Sequence, residues 1–420
     1  MMAPPSRRVP ELMDELVEDI LLRFPPVDPA SLFRASLVSK RWRRLVSSPG
    51  FHRRFREFHH QTPPMLGFFC NIGRVPEIYR CGSGDLRFMP AAAESSFRLL
   101  PRAAIPSWHA LDALHGRVLF YDFDDDSVTS QAVRSRKRKR KTSQAVEVEV
   151  ELIVWNPATG EVCRLPVVRP LHMFGWNAAL LCAAARCDDH VDACCSYDAF
   201  RVVVVAAFKG LTSAYVYSSE QGAWSEPISV QHLGVAIRLT NGPSARTRDA
   251  LYFLNGSSTE ILEYDMGKHE VSFINLPSVC KDNQFISLMA MEDGGLGFAM
   301  VERSKLYTWS KPKGAGGVDG DVGWARRGVI ELSKLLPASA LSLATRVVAF
   351  AHVPNVCFIA TYSKLFTICM RSGQVRKLYD DSMDRDIRDI VPYISFCIPA
   401  LGAVPADEGP RSRVSSTWGA

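Results

Sequence analysis

The chain has 420 residues, 47% of them hydrophobic and 22% charged, with a formal net charge of +6. That composition belongs to a folded globular protein, and the length suits a small module followed by one large domain. No apolar run is long enough to span a bilayer, and the opening MMAPPSRRVPEL lacks the hydrophobic centre of a secretion signal, so no membrane partner is expected. Eleven scattered cysteines, an odd number, fit free thiols in a reducing compartment.

Residues 1–9 are expected to be disordered. From Leu12 to Phe51 the chain reads LMDELVEDILLRFPPVDPASLFRASLVSKRWRRLVSSPGF. Leu12, Leu16, Ile20 and Phe24 recur every four residues with Met13, Val17 and Leu21 beside them, a wide apolar stripe on a short helix. Pro25-Pro26 ends that helix, and Asp28-Pro29 restarts one with Asp as N-cap and Pro in the first turn. A third segment places Leu37, Val38, Trp42, Leu45 and Val46 on one face and stops at Ser47-Ser48-Pro49-Gly50. Three helices this short cannot bury so much apolar surface among themselves, so a partner protein is the expected cover.

This stretch resembles an F-box, the helical module that docks on the Skp-type adaptor of SCF-class cullin-RING ubiquitin ligases. Leu12, Leu16, Ile20, Leu21 and Leu32 match its helical positions, and Val38, Lys40, Trp42, Arg43 and Leu45 match its closing Val-x-Lys-x-Trp-Arg-x-Leu. Met13 stands where the family usually has Pro. The resemblance implies an adaptor-binding set of Leu12, Met13, Leu16, Ile20, Leu21, Leu32, Val38, Trp42 and Leu45. It also implies that the adaptor links this chain to a cullin-RING ligase.

A fourth helix is expected over Ser48–Phe58, capped by Ser48, with Phe51, Phe55 and Phe58 turned toward the following domain. From Met65 onward, short apolar runs separated by Gly, Pro, Asn and Asp replace the helical periodicity. A unit of four short strands recurs with a period of about 40–50 residues, stretched in one place by a charged insertion, which marks a β-propeller, and a Kelch-like kind is expected. The second strands of the units are expected at Val118–Tyr121, Arg201–Ala206, Leu251–Leu254, Leu296–Val301 and Val356–Thr361. A weaker first unit opens with Leu66–Cys70. Innermost strands are expected at Trp108–Leu114, Phe174–Ala184, Leu233–Leu239, Phe285–Met291 and Val347–His352. The spare apolar run Tyr393–Leu401 is expected to pair into the first blade and close the ring. Six blades are expected, with seven as the alternative.

The segment Trp155–Pro166, WNPATGEVCRLP, resembles the motif of plant F-box-associated domains, with Asn156-Pro157 presetting a turn and Gly160 supplying a positive φ. The fold class is therefore mainly β with a small N-terminal α module. The expected organisation is an F-box over 10–48, a linker helix over 49–62, and a propeller over 63–403. Within it lies a disordered charged insertion over 124–147, and a disordered tail follows over 404–420.

Seven positive charges between Arg134 and Lys141 exceed the whole surplus of +6. No broad basic face remains to track a phosphate backbone, so no nucleic-acid partner is expected. The run Arg136, Lys137, Arg138, Lys139, Arg140 and Lys141 is a candidate nuclear-import signal, against the alternative of a solvated loop. It sets the expected location as nucleus and cytoplasm. Cys182, Cys187, His190, Cys194 and Cys195 do not follow a zinc spacing, Asp122–Asp126 lacks the rest of a calcium loop, and no nucleophile-elbow, zinc-protease or phosphate-loop motif is present. No catalytic residue, metal or cofactor is therefore expected. The resulting expectation is a non-catalytic receptor subunit of an SCF-type ubiquitin ligase with an unknown protein target. Its rivals are an adaptor-bound scaffold with no degradation role and a carbohydrate-binding propeller using Trp176, Trp224, Trp309 and Trp324.

Overall fold

The computed structural model describes residues 12–60, 62–74, 85–91, 108–122, 147–157, 159–172, 175–183, 199–208, 210–231, 242–255, 260–280, 286–311, 323–341, 345–361, 364–380 and 385–399. The candidate import run, the core of the charged insertion, four of the five residues in the Cys/His group and residues 1–9 and 404–420 lie outside these.

Four helices come first: α1 (Asp14–Leu22), α2 (Pro29–Val38), α3 (Lys40–Val46) and α4 (Pro49–Phe58). Punctuation in the sequence explains each boundary. Pro29 occupies the first turn of α2, where a missing N–H costs nothing. The hydroxyl of Ser39 accepts from the Trp42 N–H at 3.1 Å and starts α3. Ser48 does the same for Phe51 at 3.1 Å and starts α4. Val17, Leu21, Leu32, Ala35, Val46, Phe51 and Phe55 form the shared core of the four helices.

The rest is a ring of six antiparallel sheets. The first blade joins β1 (Met65–Arg74) and β2 (Asp85–Pro90) to β25 (Arg385–Ile394), the last strand of the described chain. The second contains β3 (Trp108–Leu114), β4 (Arg117–Asp122), β5 (Glu147–Asn156), β6 (Glu161–Arg164) and β7 (Val168–His172). The third contains β8 (Trp176–Cys182), β9 (Phe200–Phe208), β10 (Leu211–Ser218), β11 (Ala223–Trp224) and β12 (Ile228–Gln231). The fourth runs β13 (Ala245–Arg246), β14 (Ala250–Leu254), β15 (Glu260–Asp265), β16 (Glu270–Asn275). The fifth runs β17 (Ile286–Ala290), β18 (Leu296–Glu302), β19 (Lys305–Lys311), β20 (Ala325–Glu331). The sixth runs β21 (Arg346–Ala351), β22 (Val356–Ala360), β23 (Lys364–Cys369), β24 (Val375–Asp380).

Neighbouring side chains along a strand point to opposite faces. In a propeller both faces of a blade's second strand are covered, so that strand is apolar without alternation. Phe68 faces the sixth blade and Phe69 the second. Val203 and Val204 divide in the same way between the fourth and second blades. Phe298 and Ala299 divide between the fourth and sixth. One apolar cluster fills each of the six blade junctions, including the one between first and sixth that closes the ring. Outer strands such as β6 and β16 lie mostly at the surface and carry the polar residues.

The turn read from WNPATG recurs structurally. The Gly160 N–H donates to the Asn156 carbonyl at 2.8 Å, and Gly222–Ser218, His269–Asp265 and Gly373–Cys369 repeat the contact at 2.8, 3.0 and 2.8 Å. All four donors have positive φ, and three of the four are glycine, the residue with no steric penalty there.

Two sequence expectations need correction. The closing strand does come from the C-terminal side, but it is Arg385–Ile394 rather than Tyr393–Leu401. Residues 395–399 leave the sheet and run against the helices. Phe51 and Phe55 accordingly pack within the helical core and on Phe396, not on the first blade, while Phe58 is exposed. The aromatic spacing holds for Phe51 and Phe55, which share one buried face, and not for Phe58. The partner of that face is the neighbouring helices and a distant strand extension.

Candidate docking site

The apolar residues of α1 and of the two positions before it divide between two sides. Val17, Leu21 and Leu22 point into the helical core, while Leu12, Met13, Leu16 and Ile20 point outward. Leu16 is 45% and Ile20 49% exposed, although the chain has finished burying its own core beneath them. The last turn of α2 adds Leu37 and Val38, the latter 66% exposed. Arg41 joins these two regions. Its Nε donates to Asp14 Oδ1 at 2.6 Å and its Nη2 to the Leu12 carbonyl at 2.6 Å, which draws the start of α1 against the α2–α3 junction. Arg54 on α4 pairs with Glu18 from the other side.

The nine sequence-predicted adaptor residues therefore separate into three groups. Leu12, Met13, Leu16, Ile20 and Val38 are open to solvent. Trp42 and Leu45 are half-buried against the helical core. Leu21 and Leu32, at 0% and 1% exposure, are core residues, so their place in a contact set is corrected: they support the face from beneath. Leu37, on the same apolar face but outside the expected contact set, stands beside Val38 at the surface. A break in the helix at Ser39, whose φ of −156° is extended, turns this pair away from α3.

Met13, in the family's Pro position, is the residue that precedes α1. Its φ of −63° is the value a proline ring imposes. The helix start thus has the geometry that Pro would give it.

The F-box domain family matches residues 10–54 of this chain. The chain therefore carries an F-box domain, with a six-bladed propeller behind it, and F-box domains bind Skp-type adaptors in cullin-RING ligases. No curated protein matches the chain. Among solved structures, a nidogen/laminin complex is similar at 9% identity and a TM-score of 0.40, covering 77% of this chain and 97% of that one. A protein from Lactobacillus plantarum is similar at 12% identity and a TM-score of 0.40, covering 76% and 83%. A luciferin-regenerating enzyme is similar at 9% identity and a TM-score of 0.37, covering 73% and 80%. Likeness at this level carries nothing about function.

The four tryptophans suggested for sugar binding are built into the blades. Trp176 is buried and meets Tyr121 edge to face, and Trp309 stacks on Phe298. The indole N–H groups of Trp224 and Trp324 donate to the Pro166 and Asn275 carbonyls at 2.7 and 2.9 Å. They do not form the free aromatic rim that such a reading needs.

The described inner strands of the propeller carry an ion pair that is mostly buried. Arg246 on β13 donates to Asp112 Oδ2 on β3 at 2.6 Å and to the Leu180 carbonyl on β8 at 2.6 Å. Asp112 also accepts from the Leu180 N–H at 2.8 Å, so three blades are tied at one point. Burial pushes the Asp112 carboxyl up, and Arg246 with the Leu180 and Ala113 N–H groups opposes that push. Both Asp112 oxygens and Arg246 Nη2 have partners within the chain, which is the pattern of a structural cross-link, although the buried Arg246 Nε has none among the described residues.

Proposed function

We propose that this chain is a substrate-recognition subunit of an SCF-type ubiquitin ligase, with a plant-type F-box-associated propeller that holds a target protein. The observation that carries the reading is the outer face of α1 with the end of α2. It is apolar and open, over a helical core that the chain has already filled with its own side chains. A helix-in-groove contact with an adaptor would cover it. The chain would supply no catalytic group; its contribution would be proximity, raising the effective concentration of a target lysine beside the loaded conjugating enzyme.

The test is co-purification. The parent chain is expected to retain a Skp-type adaptor and cullin, and a Leu16→Glu/Ile20→Glu variant is expected to lose both while keeping its thermal melt. Proximity labelling with that variant would enrich the targets that escape degradation. An unchanged target half-life on depletion of the chain would favour the scaffold reading. Import through Arg136–Lys141 is part of the proposal, and replacing the run by alanine should exclude a fluorescent fusion from the nucleus.

A further inference from the structure

Ring closure and the helical core are completed by one continuous stretch. β25 is the innermost strand of the first blade, and it passes directly, without a linker, into residues 395–399. These residues belong to no helix or strand. The Ser395 N–H donates to the Pro64 carbonyl at 3.1 Å, just before β1 begins. From there the side chains alternate. Phe396 and Ile398 enter the helical core among Val17, Leu21, Phe51 and Phe55. Cys397, between them, points the other way into the junction of the first and second blades with Leu66, Phe69 and Tyr393. Phe33 of α2 reaches the same junction. Finally the Pro399 carbonyl accepts from His52 Nε2 on α4 at 3.1 Å.

Helices of seven to ten residues are far below the length that is stable alone. Their persistence depends on the core they share, and two of that core's buried side chains arrive from the end of the propeller's closing strand. We infer that residues 395–399 form a coupling strap, so that the docking helices hold their shape only when the propeller ring is closed. A receptor whose ring is open would then present no ordered adaptor face, and an unfolded propeller would be kept out of the ligase. Because β25 follows every other described strand in the chain, the docking face would be finished last. Coupling of this kind is reciprocal: the factor by which ring closure favours the docking helices is the factor by which ordered helices favour ring closure.

The adaptor arm of the test rests on the function proposed above; the exchange arm does not. Hydrogen exchange would be followed on the full chain and on a Phe396→Ala/Ile398→Ala variant. Amides of α1 and α4 are expected to exchange at least tenfold faster in the variant, with blades three to five unchanged, and affinity for a Skp-type adaptor is expected to fall at least tenfold. In the parent, saturating adaptor is expected to slow exchange in β25, which lies in a different domain from the docking face. Ile398→Ala alone removes less volume and would show the same pattern if the double variant lost its propeller. Exchange of α1 and α4 within twofold of the parent in both variants would overturn the coupling. So would adaptor binding that leaves β25 unaltered. A parent chain that binds no Skp-type adaptor would sink the docking proposal, and exchange in the variants would still decide the strap.

Discussion

Leu16→Ala/Ile20→Ala separates the docking face from the core that carries it. Both side chains are about half exposed, at 45% and 49%. Full burial of a Leu or Ile side chain is worth about 1.5–3 kcal/mol, so covering the open half of each gives about 1 kcal/mol apiece. The pair should then account for about 2 kcal/mol of adaptor binding, roughly a thirtyfold change in affinity. Little stability is at stake: substitutions at such exposed positions usually stay within about 0.5 kcal/mol, and Ala is the better helix former. Leu21→Ala, one residue along the same helix, should behave in the opposite way. Its side chain is fully buried, and the cavity should cost about 2–5 kcal/mol of fold stability. Calorimetric titration with a purified Skp-type adaptor, alongside thermal melts, reads both quantities. The outer pair should lose affinity at constant melting temperature, and Leu21→Ala should lose melting temperature first. An outer pair that binds within twofold of the parent, or that melts like Leu21→Ala, would refute the division of α1 into two working sides. Trp42→Ala is a poorer probe, because that ring is half in the core and would move both readouts together.

Acid should loosen the strap. Burial holds the His52 imidazole below its ordinary value near 6.5, outweighing the hydrogen bond to Pro399. The unfolded chain then takes up the proton more readily, so the stability present above pH 6.5 falls as pH drops toward the depressed folded value. Melting temperature between pH 8 and pH 5 should show this slope, and His52→Gln should flatten it. Removing Arg246 by substitution with Met strands the buried Asp112 charge and should cost about 3–5 kcal/mol in denaturant melts, whereas Asp112→Leu/Arg246→Met should recover most of that loss. Burial pushes the thiols of Cys70, Cys357 and Cys397 up to about 12, while the Ser372 hydroxyl lowers that of Cys369. Among these four, iodoacetamide should label Cys369 first in the native protein, as read by peptide mass spectrometry. Met13→Pro fits the existing φ of −63° and should leave adaptor affinity unchanged in the same titration.

The propeller was legible where both faces of a strand are covered. Runs such as Val202–Val205 and Cys357–Ala360 are apolar without a break because each successive residue meets a different neighbouring blade. The closing strand was displaced in the reading for a related reason. β25 reads RDIRDIVPYI, and its Arg and Asp residues hide a strand whose Ile387, Ile390, Val391 and Tyr393 are buried. The cleaner apolar run comes just after it, and its Phe396 and Ile398 serve the helices instead. In the fourth blade, the innermost strand expected at Leu233–Leu239 falls outside the described residues, and the described pairing is the short β13.

The helical module shows the limit of pattern reading more sharply. Periodicity reports that α1 is apolar over a wide arc, but the arc has an inner and an outer edge that share one residue vocabulary. Leu21 and Ile20 are adjacent, similar in size and equally apolar, and tertiary packing decides which of them is covered: Leu21 joins a core that includes Phe51, Phe55, Phe396 and Ile398. Two of those four lie more than 340 residues away along the chain. A motif match over forty residues therefore identifies the module without revealing which leucines a partner can touch. That assignment comes from the packing of the other helices and, through Phe396 and Ile398, in part from the far end of the propeller.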